Sequence, residues 1–93
     1  MTDFNLDIDL STDIETTFHG KKLTLKNPYA YYGPITLQYL PYGGIQAVFD
    51  YQIIINCKNG FIASKEVIYD GKEMTSKQFI ESFDNIVNEV LPN

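Results

Sequence analysis

Apolar and polar residues alternate along much of this chain, and alternation with a period of two is typical of strands with one buried face. It predicts a strand over residues 4–10 and another over residues 14–18. His19 and Gly20 then predict a two-residue hairpin turn, because glycine readily adopts positive φ. Apolar side chains stay on one side when the register pairs Phe18 with Lys21, Thr16 with Leu23 and Ile14 with Leu25.

The middle of the chain has a long strand-like pattern bounded by turn residues. Residues 26–33 predict a loop or irregular edge, since Pro28 and Pro34 cannot donate to a ladder. A strand is predicted over residues 35–39, and proline and glycine predict a turn over residues 41–44. From residue 45 to residue 57 alternate positions are apolar, which predicts one continuous strand.

The next hairpin is predicted at residues 58–60, and matching the apolar faces of its two strands selects the register. A two-residue loop of Asn59 and Gly60 would set Ile55 against Ser64. A three-residue loop with Gly60 left-handed sets Cys57 against Phe61, Ile55 against Ala63 and Tyr51 against Val67. We therefore predict the three-residue loop.

The last third predicts a tight hairpin followed by an amphipathic helix. Asp70 and Gly71 are typical of a two-residue turn leading into a short strand over residues 72–74. Thr75 with Gln78 three residues later is the capping-box spacing, which predicts the helix start, and Pro92 ends the helix. The apolar stripe at helical spacing consists of Phe79, Ile80, Phe83, Ile86, Val87, Val90 and Leu91.

Together these elements predict an α+β fold in a single domain over residues 1–93. Hairpin adjacency arranges about five to six strands as an antiparallel β-meander, with the C-terminal amphipathic helix packed on one face. No apolar run approaches the length of a membrane span, and no signal-peptide pattern is present, so we expect a cytoplasmic protein. The single cysteine, Cys57, precludes an internal disulfide.

Negative charge is concentrated at the N-terminus. Residues 1–18 contain five acids and no lysine, whereas the seven lysines that follow balance the seven remaining acids. Arginine is absent. This balance argues against direct nucleic-acid binding, which depends on cations that neutralise phosphates. We expect instead a protein partner with a basic surface.

The chain has no residue set with the spacing of a catalytic or metal site. His19 is expected at a hairpin tip and Cys57 on a buried face, so we do not predict a thiol–imidazole pair. One cysteine and one histidine cannot supply the ligands of a zinc centre. Asp7 and Asp9 share a face, and for them we favour the solvated side of an edge strand over a cation site or acid–base pair. We expect no catalysis, metal or cofactor.

Tyrosines are concentrated between residues 29 and 42, on segments rich in proline and glycine. Tyrosine supplies a large, rigid contact area and is frequent at binding hot spots. The candidate partner-binding residues are the acids Asp7, Asp9, Asp13 and Glu15 and the tyrosines Tyr29, Tyr31, Tyr32 and Tyr42. The two tyrosine loops are expected about 20 Å apart, at opposite ends of the intervening strand. We favour the loop at residues 29–32 as the contact surface.

These features predict a small acidic protein that binds another protein and is not an enzyme. The sharpest hypothesis is an inhibitor of phage or mobile-element origin, with an anti-CRISPR-like role, that docks on a nucleic-acid-binding host protein. Clustered carboxylates suit this role because they steer toward basic clefts and imitate phosphates. The alternatives are an immunity protein against a nuclease toxin, a structural subunit that self-associates, for example as a homodimer, and a small-molecule binder with a tyrosine-lined pocket.

Overall fold

The computed structural model describes residues 3–33, 41–49, 52–58, 60–83, 85–86 and 89–92. Within them the strands are β1 (Ile14–Phe18), β2 (Lys21–Lys26), β3 (Tyr29–Tyr31), β4 (Ile45–Phe49), β5 (Gln52–Cys57), β6 (Gly60–Ser64), β7 (Glu66–Tyr69) and β8 (Lys72–Thr75). The helix α1 is Ser76–Glu81. The first sheet has the order β1-β2-β7-β8 and the second sheet the order β3-β6-β5-β4. The fold is mostly antiparallel and broadly α+β, as predicted. The described residues form eight strands in two sheets, however, instead of about five to six strands in one meander.

One antiparallel ribbon runs through both sheets. β2 pairs with β7 as far as Lys26 opposite Glu66, and β3 pairs with β6 from Tyr29 opposite Ala63. Tyr29 is three residues after Lys26, and Ala63 is three residues before Glu66, so the register is unchanged across the break. The two halves are therefore one continuous ribbon, which bends between the sheets.

Asn27 and Pro28 form the bend on one strand of the ribbon. Asn27 has a φ of 48°, a left-handed conformation that asparagine tolerates better than most residues. Its N–H donates to Asp13 Oδ1 at 3.0 Å, and Pro28 has no N–H to donate. Neither residue continues the ladder, so the strand can change direction here. Of the loop or irregular edge predicted over residues 26–33, the loop is wrong beyond this point, because β3 follows directly as an edge strand of the second sheet.

Two buried serines hold the bend on the other strand. The Ser64 hydroxyl lies 2.7 Å from the Lys26 carbonyl oxygen and 2.8 Å from that of Glu66, and it donates its proton to one of them at a time. Ser76, the first residue of α1, donates its hydroxyl proton to the Ser64 carbonyl oxygen at 2.7 Å. The Ser76 N–H donates to the Lys65 carbonyl oxygen at 2.8 Å. The start of the helix is thereby fastened to the bend.

The main core lies between the two sheets. The first sheet contributes Ile14, Phe18, Leu23, Leu25 and Val67, and the second contributes Ile45, Ile53, Ile55, Cys57 and Ile62. Segments outside the sheets add Phe4, Ile8, Phe79, Ile86 and Leu91. On the opposite face of the second sheet, Ile54 packs with Tyr31 and Ala63 in a separate cluster. Because side chains alternate along a strand, β5 is buried on both faces.

Four predictions that depend on local turn and cap residues are confirmed. β1 and β2 pair in the predicted register around a turn with His19 at a φ of 51° and Gly20 at 78°. The second hairpin turn has Asp70 at 52° and Gly71 at 83°. The predicted turn over residues 41–44 contains a hydrogen bond from the Gly44 N–H to the Pro41 carbonyl oxygen. Thr75 and Gln78 form the predicted capping box.

The continuous strand predicted over residues 45–57 is wrong, because this segment is the hairpin of β4 and β5, with Phe49 opposite Gln52. The apolar alternation continues from one arm into the other, so it resembles a single strand. Such a strand would be far longer than the usual length of about 5–6 residues. The predicted strand over residues 35–39 lies outside the described residues.

The register predicted for the next hairpin is also wrong. Cys57 lies opposite Gly60, and Ile55 lies opposite Ile62. Matching apolar faces cannot select a register here, because both faces of β5 are buried. Val67 pairs with Leu25 and Met74 and not with β5, since the chain crosses to the first sheet at Lys65.

The strand predicted over residues 4–10 is wrong because aspartate side chains form turns there. Asp3 Oδ1 accepts the Asn5 N–H at 2.9 Å, and Asp9 Oδ1 accepts the Ser11 N–H at 2.9 Å. Such bonds compete with a strand ladder. Phe4 and Ile8 are buried, as expected of alternate positions, but Leu6 between them is 58% exposed.

The helix starts where predicted but is much shorter, since it ends at Glu81 with Ser82 as its C-cap. The chain returns to the sheet instead: Ile45 donates its N–H to the Glu89 carbonyl oxygen, and Leu91 donates its N–H to that of Gly43, both at 2.8 Å. A continued helix would forfeit these bonds to the β4 edge. Ile86 and Leu91 are buried as predicted, but from this non-helical segment.

Replacing Ser76 with alanine should destabilise the fold by about 1–3 kcal/mol, because it leaves a buried carbonyl oxygen at the bend without its donor. Chemical denaturation monitored by circular dichroism measures this change. Ser82→Ala is the matched control, since its hydroxyl donates to the exposed carbonyl of Gln78; it should change stability by less than about 0.5 kcal/mol. Equal effects of the two substitutions would contradict the assigned role of Ser76.

Candidate functional site

Three of the four predicted acids line one surface cavity. Asp7, Asp9 and Asp13 are exposed and share with Asp3 a cavity of about 210 Å³, which we call the acidic cavity. Its remaining lining residues are Leu6, Ile8, Thr12 and Ile14. The side chain of Leu6 is therefore exposed among four carboxylates, on a segment shaped by turns and not, as predicted, on the face of a strand.

Local hydrogen bonds hold most of these carboxylates in place. Asp3 and Asp9 each accept a backbone N–H two residues ahead, and Asp13 accepts the N–H of Asn27. The Ser11 hydroxyl also donates to Asp9 at 2.6 Å, and this bond lowers the pKa of the Asp9 carboxyl below its ordinary value of 3.8. The cavity thus presents negative charges whose positions are set by the fold.

Glu15 is separate from the acidic cavity. It lies on β1 with its side chain 3.3 Å from the Lys22 ammonium on β2. Both side chains are largely exposed, so this pair contributes little to stability. Its carboxylate is partly neutralised by Lys22, whereas the cavity is lined by no lysine.

The four predicted tyrosines differ in exposure. Tyr29 and Tyr31 lie on the edge strand β3, where they pack in the cluster around Ile54, and Tyr31 is only 8% exposed. A Cβ added at Gly33 would lie 2.7 Å from the Tyr31 hydroxyl oxygen, so a larger residue there would require the ring to move. The Tyr31 ring thus packs closely against its surroundings. Tyr32 is 93% exposed and Tyr42 is 38% exposed.

The exposed tyrosines lie at the same end of the second sheet. Tyr31 pairs with Phe61, and Phe61 pairs with Asn56. The Asn56 N–H donates to the Gly44 carbonyl oxygen at 2.9 Å. These four residues form one row across the sheet, so three strand spacings of about 4.8 Å separate its ends by about 14 Å. The strand predicted between them, over residues 35–39, lies outside the described residues, so the placement of the two tyrosine segments at its opposite ends stays a prediction.

His19 and Cys57 have separate structural environments. His19 Nε2 lies 2.7 Å from Glu89 Oε1, and its ring stacks on Phe18 at a centroid distance of 4.1 Å. The Cys57 thiol is buried and donates to the Ile55 carbonyl oxygen at 3.8 Å. Burial raises the pKa of this thiol to about 12. A thiolate nucleophile activated by this histidine is not supported by these contacts.

Sequence reasoning missed an aromatic cluster and a second cavity. The cluster consists of Phe18, His19, Tyr69, Phe79 and Phe83. The sequence indicated only that Phe79 and Phe83, which are four residues apart, would lie on the same face of a helix. The second cavity, of about 290 Å³, lies at the ribbon bend and is lined by Lys26, Asn27, Tyr29, Lys65 and Glu66. No sequence signal indicated it, because its two walls are distant along the chain.

An ion pair crosses the first sheet beside the bend. The Lys26 ammonium lies 2.8 Å from Glu73 Oε1. This hydrogen bond raises the pKa of Lys26 and lowers the pKa of Glu73. The lysine is therefore already matched with a carboxylate, and the bend cavity is not a basic pocket.

Two further properties follow from the described part of the chain. No group of three or more histidine, cysteine, aspartate or glutamate side chains there has a geometry that could hold a metal ion. No helix there has the length and apolar character that crossing a bilayer would require.

The Cys57 thiol should be unreactive in the folded protein. With a pKa of about 12, roughly one thiol in ten thousand is ionised at pH 8, and only the thiolate attacks disulfide reagents. Thiol titration with a chromogenic disulfide should give less than about a tenth of a thiol per chain under native conditions and about one after denaturation. Rapid reaction of the native protein would contradict the buried environment.

No protein-family model matches this chain, and searches of curated proteins and of solved structures likewise return no match.

Proposed function

We propose that this protein binds another protein, on a basic surface of its partner, and that it is not an enzyme. The observation that carries the proposal is Leu6, which is 58% exposed and shares a cavity with the carboxylates of Asp3, Asp7, Asp9 and Asp13. An apolar centre with a charged rim is the usual anatomy of a protein interface. This surface therefore suits a partner with lysine or arginine around an apolar contact.

The electrostatics of the chain support a basic partner. The net charge is −5, and all of that imbalance lies in residues 1–18. A concentrated charge of one sign accelerates encounters with an opposite charge and disfavours like-charged partners. Because most of the cavity carboxylates are held by local bonds, little side-chain entropy would be lost on binding.

The specific role that we propose is inhibition of a nucleic-acid-binding protein. Such proteins carry cationic clefts that neutralise phosphates, and carboxylates at fixed positions compete for the same cations. An inhibitor encoded by a phage or mobile element, similar in role to an anti-CRISPR protein, fits this description. An immunity protein against a nuclease toxin would use the same chemistry.

The proposal is tested by neutralising the four cavity acids as asparagines, in the variant Asp3→Asn, Asp7→Asn, Asp9→Asn, Asp13→Asn. Asparagine keeps the acceptor oxygen that the turns require, so the fold should persist. The control variant changes four exposed acids elsewhere: Glu66→Gln, Asp70→Asn, Glu73→Gln and Glu81→Gln. Both variants have the same net charge.

Each protein is immobilised and used to capture proteins from a bacterial extract, and the captured proteins are challenged with duplex DNA. We expect the wild type and the control variant to retain nucleic-acid-binding proteins that DNA displaces. The cavity variant should bind them at least about tenfold more weakly. Equal retention of the captured proteins by all three immobilised proteins would contradict the proposal. So would captured proteins that duplex DNA does not displace.

A further inference from the structure

The described residues include four large apolar side chains that are exposed. They are Leu6 at 58%, Tyr32 at 93%, Tyr42 at 38% and Val90 at 47%. These residues come from four segments that are distant along the chain. Isolated exposed apolar residues are ordinary, whereas a shared location indicates an interaction surface.

Three of the four lie beside one row of paired residues in the second sheet. The row runs from Tyr31 through Phe61 and Asn56 to Gly44, and Gly44 forms an antiparallel bridge with Val90. Tyr32 follows the first residue of the row, Tyr42 precedes its Gly44 by two residues, and Val90 is its last member. Four strand spacings of about 4.8 Å make the row about 19 Å long.

The fourth residue is brought to the same place by the N-terminal segment. Lys58, two residues after Asn56 in the row, donates its N–H to the Phe4 carbonyl oxygen at 3.2 Å. Leu6 is two residues from Phe4, and the Leu6 N–H donates to the Asp3 carbonyl oxygen at 3.2 Å, which keeps this segment turned. We call this region of the molecule, with Leu6, Tyr32, Tyr42 and Val90, the turn end.

The row of paired residues is short enough to lie within a single protein interface. A standard protein interface buries about 800 Å² on each partner, which corresponds to a patch wider than the row. Tyrosine and aliphatic residues supply its apolar contacts, and the acidic cavity around Leu6 supplies a negative rim on one side. Leu6 is the residue that the exposed apolar set and the acidic cavity have in common.

We propose that the turn end is the docking face of this protein, and that its partner is a protein whose apolar patch is flanked by lysine or arginine. Charge complementarity identifies this occupant. A second copy of the chain would bring two acidic rims together, and like charges at an interface are unfavourable. The inference rests on the proposed function, and it adds the apolar residues that the partner must contact.

Selection from a displayed library of short random peptides tests the inference without knowledge of the natural partner. The enriched peptides should combine lysine or arginine with leucine or an aromatic residue. Binding of an enriched peptide should shift amide resonances of residues 4–6, 32, 42–44, 58, 60 and 90, and leave β8 and α1 unchanged. Failure to enrich any peptide, or shifts confined to β8, α1 or the bend cavity, would overturn the inference.

Substitutions then separate the apolar contribution from the acidic one. Leu6→Ser, Tyr32→Ser and Val90→Ser remove exposed side chains, so the fold should be retained, and each should weaken peptide binding by about threefold to thirtyfold. The controls Lys72→Ser and Glu81→Ser, on the exposed surface of β8 and α1, should change it by less than about twofold.

The pattern of losses distinguishes this inference from the proposed function. If the four aspartate-to-asparagine substitutions weaken peptide binding and the serine substitutions do not, docking through the acids is supported. The turn end is then not the apolar centre of the interface. If only the serine substitutions weaken peptide binding, docking through the cavity carboxylates is overturned. Sedimentation of the free protein as a dimer that Tyr32→Ser dissociates would assign the surface to self-association and overturn the proposed partner.

Discussion

The bent ribbon determines the architecture of this protein, and two buried serine hydroxyls hold the bend. Where the ribbon leaves the first sheet, the left-handed Asn27 and the donor-less Pro28 interrupt the ladder on one side. Ser64 and Ser76 supply the hydrogen bonds on the other side. A buried carbonyl without a donor costs about 1–3 kcal/mol, so these hydroxyls make the change of direction energetically acceptable. The two sheets can then face each other across the main core.

The same bend also places the acidic segment. Asp13 accepts the N–H of Asn27 at the bend, and the Phe4 carbonyl accepts the N–H of Lys58 beyond the end of β5. The segment between these two anchors therefore extends from the bend to the turn end. It buries Phe4 and Ile8 against the core and leaves Leu6 and the carboxylates outside. Packing and the proposed docking surface thus depend on opposite sides of one short segment.

Sequence reasoning succeeded where a few neighbouring residues decide the structure, as at His19 and Gly20, at Asp70 and Gly71, and at the capping box of Thr75. It failed where burial on a second face matters. Ile54 is as buried as Ile53 and Ile55, so alternation along β5 has no outward face from which to choose a register. The helix also ended early because backbone pairing with the β4 edge, a non-local contact, replaced further helical turns. Of the residues that line the acidic cavity, Asp7, Asp9 and Asp13 were among the candidates chosen from charge, whereas Asp3 was not. The placement of Tyr32, Tyr42 and Val90 depends on sheet order.

The turns of the acidic segment connect its stability to its charge. The pKa of Asp9 is lowered by the Ser11 hydroxyl, so the ionised form is favoured in the folded state. When the pKa of a carboxyl is lower in the folded than in the unfolded state, the carboxyl stabilises the fold at pH values above its unfolded pKa. This stabilisation is lost as the pH falls through the folded pKa. Protonation of Asp9 therefore removes its negative charge and weakens the turn at the same time. Replacement by asparagine removes the charge but keeps the side-chain oxygen that accepts the hydrogen bond. Neutral substitution, rather than acidification, is for this reason the change that separates the electrostatic role of the segment from its structural one.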